Sequence, residues 1–300
     1  MRAIIAGGTG FIGQALISEL KEHGWEIVVL SRSPGKVADV FGSGVIGMRW
    51  DNGDWPDLLG PETAIVNLAG ENIAKGRWSE AKKKRILDSR IEFGQRMVSA
   101  IKSADTPPAV LIQASAVGYY GPRGTTPVDE YAESGSGFLA EVTRKWEAST
   151  AELEEMGVRR CIIRTGMVLG HGGALAKMLT PFKLFLGGPL GSGFQGMSWV
   201  HMADEVGAIR FLMENENTSG PYNLTAPAPV RSRKFARILG ETLGRPHKLK
   251  VPTPVLQLLF GEMADELLLS GQLALPERLE KAGYEFRYPE LNAALRDLLR

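Results

Sequence analysis

No stretch of this chain constrains its fold as tightly as Gly7-Gly8-Thr9-Gly10-Phe11-Ile12-Gly13, which directly follows the apolar run Ala3-Ile4-Ile5-Ala6. Beyond the glycines, Ile12, Leu16 and Leu20 recur at helical spacing until Gly24. Strand, glycine turn and helix, in that order, open a dinucleotide-binding unit. The turn is tight, the backbone must approach a pyrophosphate, and the helix must pack close to its strand, so bare glycines are needed. Free N–H groups and the positive end of the helix dipole then face the phosphates. Gly7, Gly8, Thr9, Gly10, Phe11, Ile12 and Gly13 are the expected cradle.

Short β-branched runs continue the alternation at Glu26 to Leu30, Val45 to Trp50, Ala64 to Leu68, Val110 to Ala114 and Arg160 to Arg164, with helical patterns between them. That alternation predicts an α/β, Rossmann-type doubly wound parallel sheet whose ligand lies outside the carboxyl ends of the strands. After about residue 170 the alternation stops, and Phe235 to Leu243, Thr253 to Phe260 and Leu291 to Leu299 read as helices separated by prolines. The expected organisation is a nucleotide-binding domain over 1–170, rejoined by 197–225. A smaller, mainly helical C-terminal lobe is expected from 171–196 and 226–300, with substrate held between the two.

The total charge is +1 over 300 residues, which gives no global field toward nucleic acid or an anionic membrane. A small-molecule substrate is the expected partner. The single Cys161 sits in an apolar run, so neither a disulfide framework nor a cysteine metal site is available. No repeated His/Glu/Asp spacing suggests a metal. No signal peptide fits the N-terminus and no apolar stretch is long enough to span a bilayer, so a cytoplasmic protein is expected.

About 20 residues past the glycine turn, where an NAD site commonly carries an acid for the adenosine ribose, the chain reads Ser31-Arg32-Ser33. A guanidinium and hydroxyls suit a 2′-phosphate, which favours NADP(H). Asp51, just past the third strand, is a candidate acceptor for the adenine amino group. Ser79 reads as the N-cap of a long helix on which Arg90 falls among Ile86, Leu87, Phe93 and Met97, placing a cation on the apolar stripe. A buried cation needs a partner, here either an ion pair or the ligand itself. Ser115 ends the fifth strand, and Tyr119 and Tyr120 leave the sheet just beyond it.

The glycine spacing, GxxGxxG, resembles the extended short-chain dehydrogenase/reductase superfamily. Asn67-Leu68-Ala69-Gly70 is similar to the superfamily segment that lies along the cofactor. Gln113-Ala114-Ser115-Ala116-Val117-Gly118-Tyr119-Tyr120-Gly121 resembles its serine-bearing strand end, with one extra residue before the Tyr-Gly pair. Further likenesses are Arg77-Trp78, Arg164-Thr165-Gly166-Met167-Val168-Leu169-Gly170, Leu186 to Gly193, and Trp199-Val200-His201-Met202-Ala203-Asp204. Together with Ala282 to Phe286, they resemble the atypical epimerase-like subgroup, which carries a C-terminal helical domain of unknown function. The resemblance implies NADP(H) contacts from Asn67, Leu68, Ala69, Gly70, Arg90 and Val168, and a hydroxyl on Ser115 that bonds the reacting group.

The superfamily's Tyr-x-x-x-Lys pair is absent: Leu139 and Thr143 stand in its place. Ser115 with Tyr119 or Tyr120 is the remaining candidate proton-handling set, with Arg90 as the positive charge beside it. The leading expectation is an NADP(H)-dependent oxidoreductase acting on a small carbonyl or sugar-like compound. A non-catalytic NADP(H) sensor and a nucleotide-sugar epimerase are the alternatives.

Overall fold

Consecutive apolar residues in a strand bury both of its faces, which only a sheet covered on each side can offer. In the computed structural model, which describes residues 1–51 and 54–299, Ile5 and Val29 face one hydrophobic cluster while Ile4 and Leu30 face another. The first half of the chain alternates β1 (Arg2–Ala6), α1 (Phe11–Glu22), β2 (Glu26–Ser31), α2 (Pro34–Phe41), β3 (Ile46–Arg49), β4 (Thr63–Asn67), α3 (Glu80–Lys102) and β5 (Val110–Ala116). Then come β6 (Pro127–Val128), α4 (Phe138–Ala148), α5 (Glu152–Glu155), β7 (Arg159–Thr165), β8 (Met167–Leu169) and α6 (Gly173–Lys183). The chain continues through β9 (Gly196–Met197), β10 (Trp199–His201), α7 (Met202–Glu214), β11 (Gly220–Leu224), β12 (Val230–Arg231) and α8 (Ser232–Leu243). It ends with α9 (Thr253–Phe260), α10 (Glu262–Ala264), β13 (Leu273–Ala274), α11 (Glu277–Lys281) and α12 (Leu291–Leu299).

The main sheet is parallel with strand order β3-β2-β1-β4-β5-β7-β11. Order reverses between β1 and β4, the place where doubly wound sheets leave a crevice for a nucleotide. The six strands read from the sequence are present with ends shifted by one or two residues. The seventh, β11, begins Gly220-Pro221 and gave no strand signal; Pro221 is tolerated because β11 is an edge strand. Ser79 caps α3 as expected, its hydroxyl accepting the Lys82 N–H at 3.2 Å. No helix among the described residues is long and apolar enough to cross a membrane.

A separate hydrophobic cluster gathers Leu175 and Phe182 of α6, Trp199 of β10, Phe235 and Leu239 of α8, and Leu295 of α12. Two buried carboxylates bind it and its neighbours to the sheet. Asp204, on α7, accepts the N–H groups of Arg287 at 2.7 Å and Tyr288 at 2.9 Å. Glu130 accepts the N–H of Asn223 in β11 at 2.9 Å and that of Arg278 in α11 at 3.3 Å.

Candidate functional site

The crevice begins at the glycine turn. Gly7 has φ +81°, a region that side chains rarely adopt, and a Cβ there would lie 2.8 Å from the Leu68 carbonyl oxygen. A Cβ on Gly13 would lie 2.4 Å from the Gly7 carbonyl oxygen. Close packing therefore brings the start of α1 against the end of β1, with Gly10 N–H bonded to the Gly7 carbonyl at 2.9 Å. No side chain caps α1, so its leading N–H groups remain available to an anion. Thr9 is exposed, while Ile12 packs on the sheet's core. The Phe11 ring lies against Gly170, Gly172 and Gly173, where Cβ atoms would approach it within 3.0, 3.1 and 2.8 Å.

At the end of β2 the Ser31 hydroxyl accepts the Ser33 N–H at 3.1 Å. Arg32 is exposed and makes neither an ion pair nor a side-chain hydrogen bond among the described residues. Asp51 is held by Arg49 through two bonds of 2.9 and 2.6 Å, which keep its carboxyl below the usual range. Any contact of Asp51 with an adenine would share that carboxylate with Arg49.

Across the crevice, Asn67 is fully enclosed. Its amide donates to Gln113 Oε1 at 3.0 Å and its Oδ1 accepts the Ala69 N–H at 3.2 Å, so its side chain shapes the turn rather than reaching outward. Leu68 and Ala69 are partly buried, and Gly70 is exposed directly over Arg90, whose Cζ would lie 3.0 Å from a Gly70 Cβ. Arg90 donates to the carbonyls of Glu71 at 3.2 Å and Ile86 at 2.9 Å, and stacks 4.7 Å from the Trp146 ring centroid. Among the described residues it has no ion-pair partner, and burial brings its pKa down to about 10. Val168 is buried on β8, in register with Val200 of β10, so its side chain is turned away from solvent.

Ser115, Tyr119 and Tyr120 converge on one buried network. The Ser115 hydroxyl donates to Glu147 Oε1 at 2.6 Å. Glu147, on α4, receives Arg164 of β7 through bonds of 2.9 and 3.0 Å. Arg164 also donates to the Tyr120 hydroxyl at 3.1 Å, and that hydroxyl donates to Asn223 Oδ1 at 2.8 Å. Tyr120 is wholly enclosed, and burial pushes its pKa up to about 12. Burial alone would lower the Arg164 pKa, but the bonds and charge of Glu147 reverse this and hold the guanidinium charged. Tyr119 differs from Tyr120: it is partly exposed, its hydroxyl bonds no described residue, and its ring lies 3.4 Å from Arg164 Cζ. The positive charge beside the tyrosines is thus Arg164, whereas Arg90 sits apart under Gly70.

Leu139, in the place of the superfamily's tyrosine, stands against Gly118, where a Cβ would lie 3.3 Å from its own. Its N–H and that of Phe138 are both accepted at 3.2 Å by Glu266, from the segment after α10. The Thr143 hydroxyl turns back to the Leu139 carbonyl at 2.9 Å. His201 is buried as the N-cap of α7, its Nδ1 accepting the Ala203 N–H at 3.1 Å, in line with a supporting role. Sequence reasoning did not single out Glu147, Arg164 or Glu266. The first two carried a signal, Arg164 as a charge in a strand expected to be buried and Glu147 as another on the inner side of the helix that precedes it.

A parallel sheet with a glycine cradle at its switch point defines a dinucleotide-binding α/β protein. Residues 3–225 match the family model described as NAD dependent epimerase/dehydratase family, and 251–298 match a domain of unknown function, DUF1731. The chain belongs to the NAD dependent epimerase/dehydratase family. It is 40% identical to the epimerase family protein SDR39U1 of Bos taurus, covering 100% of both chains, and 40% identical to the epimerase family protein Mb2239 of Mycobacterium bovis, covering 97% of this chain and 95% of that one. The crystal structure of human epimerase family protein SDR39U1 with NADPH superposes with a TM-score of 0.90 at 38% identity, covering 99% of each chain. UDP-glucose 4-epimerase of Thermus thermophilus shares the fold at 18% identity, with a TM-score of 0.76 over 99% of this chain and 97% of that one.

Proposed function

We propose that this chain binds NADP(H) and catalyses hydride transfer on a small carbonyl or sugar-like compound. The observation that carries the cofactor choice is Arg32, an exposed cation at the end of β2 with no carboxylate engaging it. A 2′-phosphate gives that guanidinium the bidentate partner it lacks. The relative crystallised with NADPH supports the same reading. The residues fit the group: the bare glycines leave room for a pyrophosphate, the free N–H groups of α1 receive it, and Arg90 supports the Gly70 backbone from below. When bound, NADPH supplies the hydride.

The proton goes to the substrate oxygen from Tyr119, whose hydroxyl is free while those of Ser115 and Tyr120 are engaged inside the network. Arg164 lies against the Tyr119 ring and offsets the negative charge left as the proton departs. Ser115 and Glu147 keep that guanidinium in place. In titrations of the purified protein NADPH binds at least about tenfold more tightly than NADH, and Arg32→Ala removes the difference; equal affinities in the unmodified protein remove the cofactor assignment. With a carbonyl panel followed at the nicotinamide absorbance, Tyr119→Phe lowers kcat about 100-fold, within the range of lost acid–base catalysis. Full rates in Tyr119→Phe place the proton elsewhere.

A second reading rests on Leu139 and Thr143: a chain without the usual pair is suited to sensing NADP(H) and altering its contacts with another protein. Tight NADPH binding without oxidation across a broad panel favours it.

A further inference from the structure

We propose that the C-terminal lobe carries a docking surface for an anionic phospholipid bilayer, formed by the segment after α6 and the segment leading into α9. Leu184 is 64% exposed, Phe185 58% and Leu258 75%, and Leu186, Leu249 and Leu259 are each more than half exposed. Leu184, Phe185, Leu186 and Leu249 belong to one surface, and Leu258 and Leu259 lie on the helix that continues from it. The Leu249 N–H donates to the Gly187 carbonyl at 3.2 Å and the Val251 N–H to that of Pro189 at 3.1 Å, so the two segments run side by side, and α9 begins two residues later. Arg245 closes the arrangement, its Cζ 4.6 Å from the Phe185 ring centroid. Phe185 has φ +61°, the one positive value of a non-glycine among the described residues, so the turn holds its ring outward against its own backbone preference.

Charge selects the occupant. No Asp or Glu occurs between Glu155 and Asp204, nor between Glu241 and Glu262. Lys183, Arg245, Lys248 and Lys250 lie in those acid-free segments, are exposed, and make no ion pair among the described residues. Leucine and phenylalanine tips surrounded by free lysines match a bilayer interface, where apolar side chains enter the acyl boundary and ammonium groups meet anionic headgroups. A second copy of this chain fits poorly, because a two-fold contact sets the same cations against themselves. A protein partner fits less well than lipid, since lysine is depleted from protein interfaces. The +1 total that excludes a membrane on global grounds conceals this local imbalance.

The test is co-sedimentation of the full chain with vesicles of phosphatidylglycerol and phosphatidylcholine, beside phosphatidylcholine alone. The protein sediments with the anionic vesicles, and added salt releases it. Reversing Lys183, Lys248 and Lys250 to Glu weakens partition by at least about 100-fold. Leu184→Ser with Phe185→Ser weakens it while leaving NADPH titration and the thermal midpoint unchanged. These positions are exposed, so the variants fold; the salt series on unmodified protein gives a readout that needs no variant. No binding to anionic vesicles, or equal binding to neutral ones, overturns the proposal. So does a concentration-dependent dimer in sedimentation equilibrium that the same substitutions abolish.

Discussion

Arg164 and Glu147 meet side by side under the end of β5, joined by two bonds of 2.9 and 3.0 Å, with the Arg164 side chain only 5% exposed and that of Glu147 11%. Removing one member leaves the other charged and enclosed. Glu147→Gln is expected to cost about 3–5 kcal/mol in chemical denaturation, well above the cost of Ser115→Ala. Replacing both residues together by apolar ones of similar size is expected to restore much of that loss, so the double substitution is less harmful than the two single effects added.

Glu205, on α7, is fully buried, with one oxygen accepting the Thr165 hydroxyl at 2.8 Å and the other unpartnered among the described residues. Burial raises its pKa from 4.5 to about 8. The folded state therefore holds this proton more tightly than the unfolded state does. Between about pH 4.5 and pH 8 its contribution to stability falls as pH rises, then levels off, with a span on the order of several kcal/mol. Thermal midpoints measured from pH 5 to pH 9 are expected to decline more steeply for the unmodified chain than for Glu205→Gln. Parallel curves refute the assignment.

Gly13→Ala forces a methyl group to 2.4 Å from the Gly7 carbonyl oxygen and 2.7 Å from Gly8 Cα. Both are backbone atoms, so the turn itself must move. The variant is expected to lose NADPH binding by at least about tenfold through displacement of the cradle, while circular dichroism shows the helices retained. Undiminished affinity removes the turn from the cofactor site.

Glu266 receives two N–H groups at the start of α4 from a segment 127 residues farther along the chain. Glu266→Ala leaves those donors without their acceptor and is expected to cost about 1 kcal/mol, the usual value of a helix cap. Amide exchange reports it most directly: protection should fall at Phe138 and Leu139 and remain at Trp146.

Legibility followed the range of the interactions. The glycine turn, the six apolar strands and the Ser79 cap are local patterns, and each reappears in the fold. Arg90 was legible as a cation on an apolar stripe, which it is, although what faces it is backbone and an indole ring rather than a carboxylate. β11 was silent because Gly220 and Pro221 are poor strand formers, placed there by pairing with β7 alone. The Ser115, Glu147, Arg164 and Asn223 network joins positions far apart in sequence, and hydrogen bonds across such distances leave no periodic trace. The same holds for Glu266.

In the last quarter of the chain Asp204 clasps two main-chain donors, those of Arg287 and Tyr288, and Glu130 clasps that of Arg278. The consequence concerns inheritance. Cutting the chain after residue 225, where the larger family match ends, takes from Asp204 both of these donors and from Glu130 that of Arg278, so the shortened piece is not expected to be a smaller working protein. Exchanging the last fifty residues between relatives requires the recipient to present the same two acids. The tail and the sheet are expected to have diverged as one evolving unit.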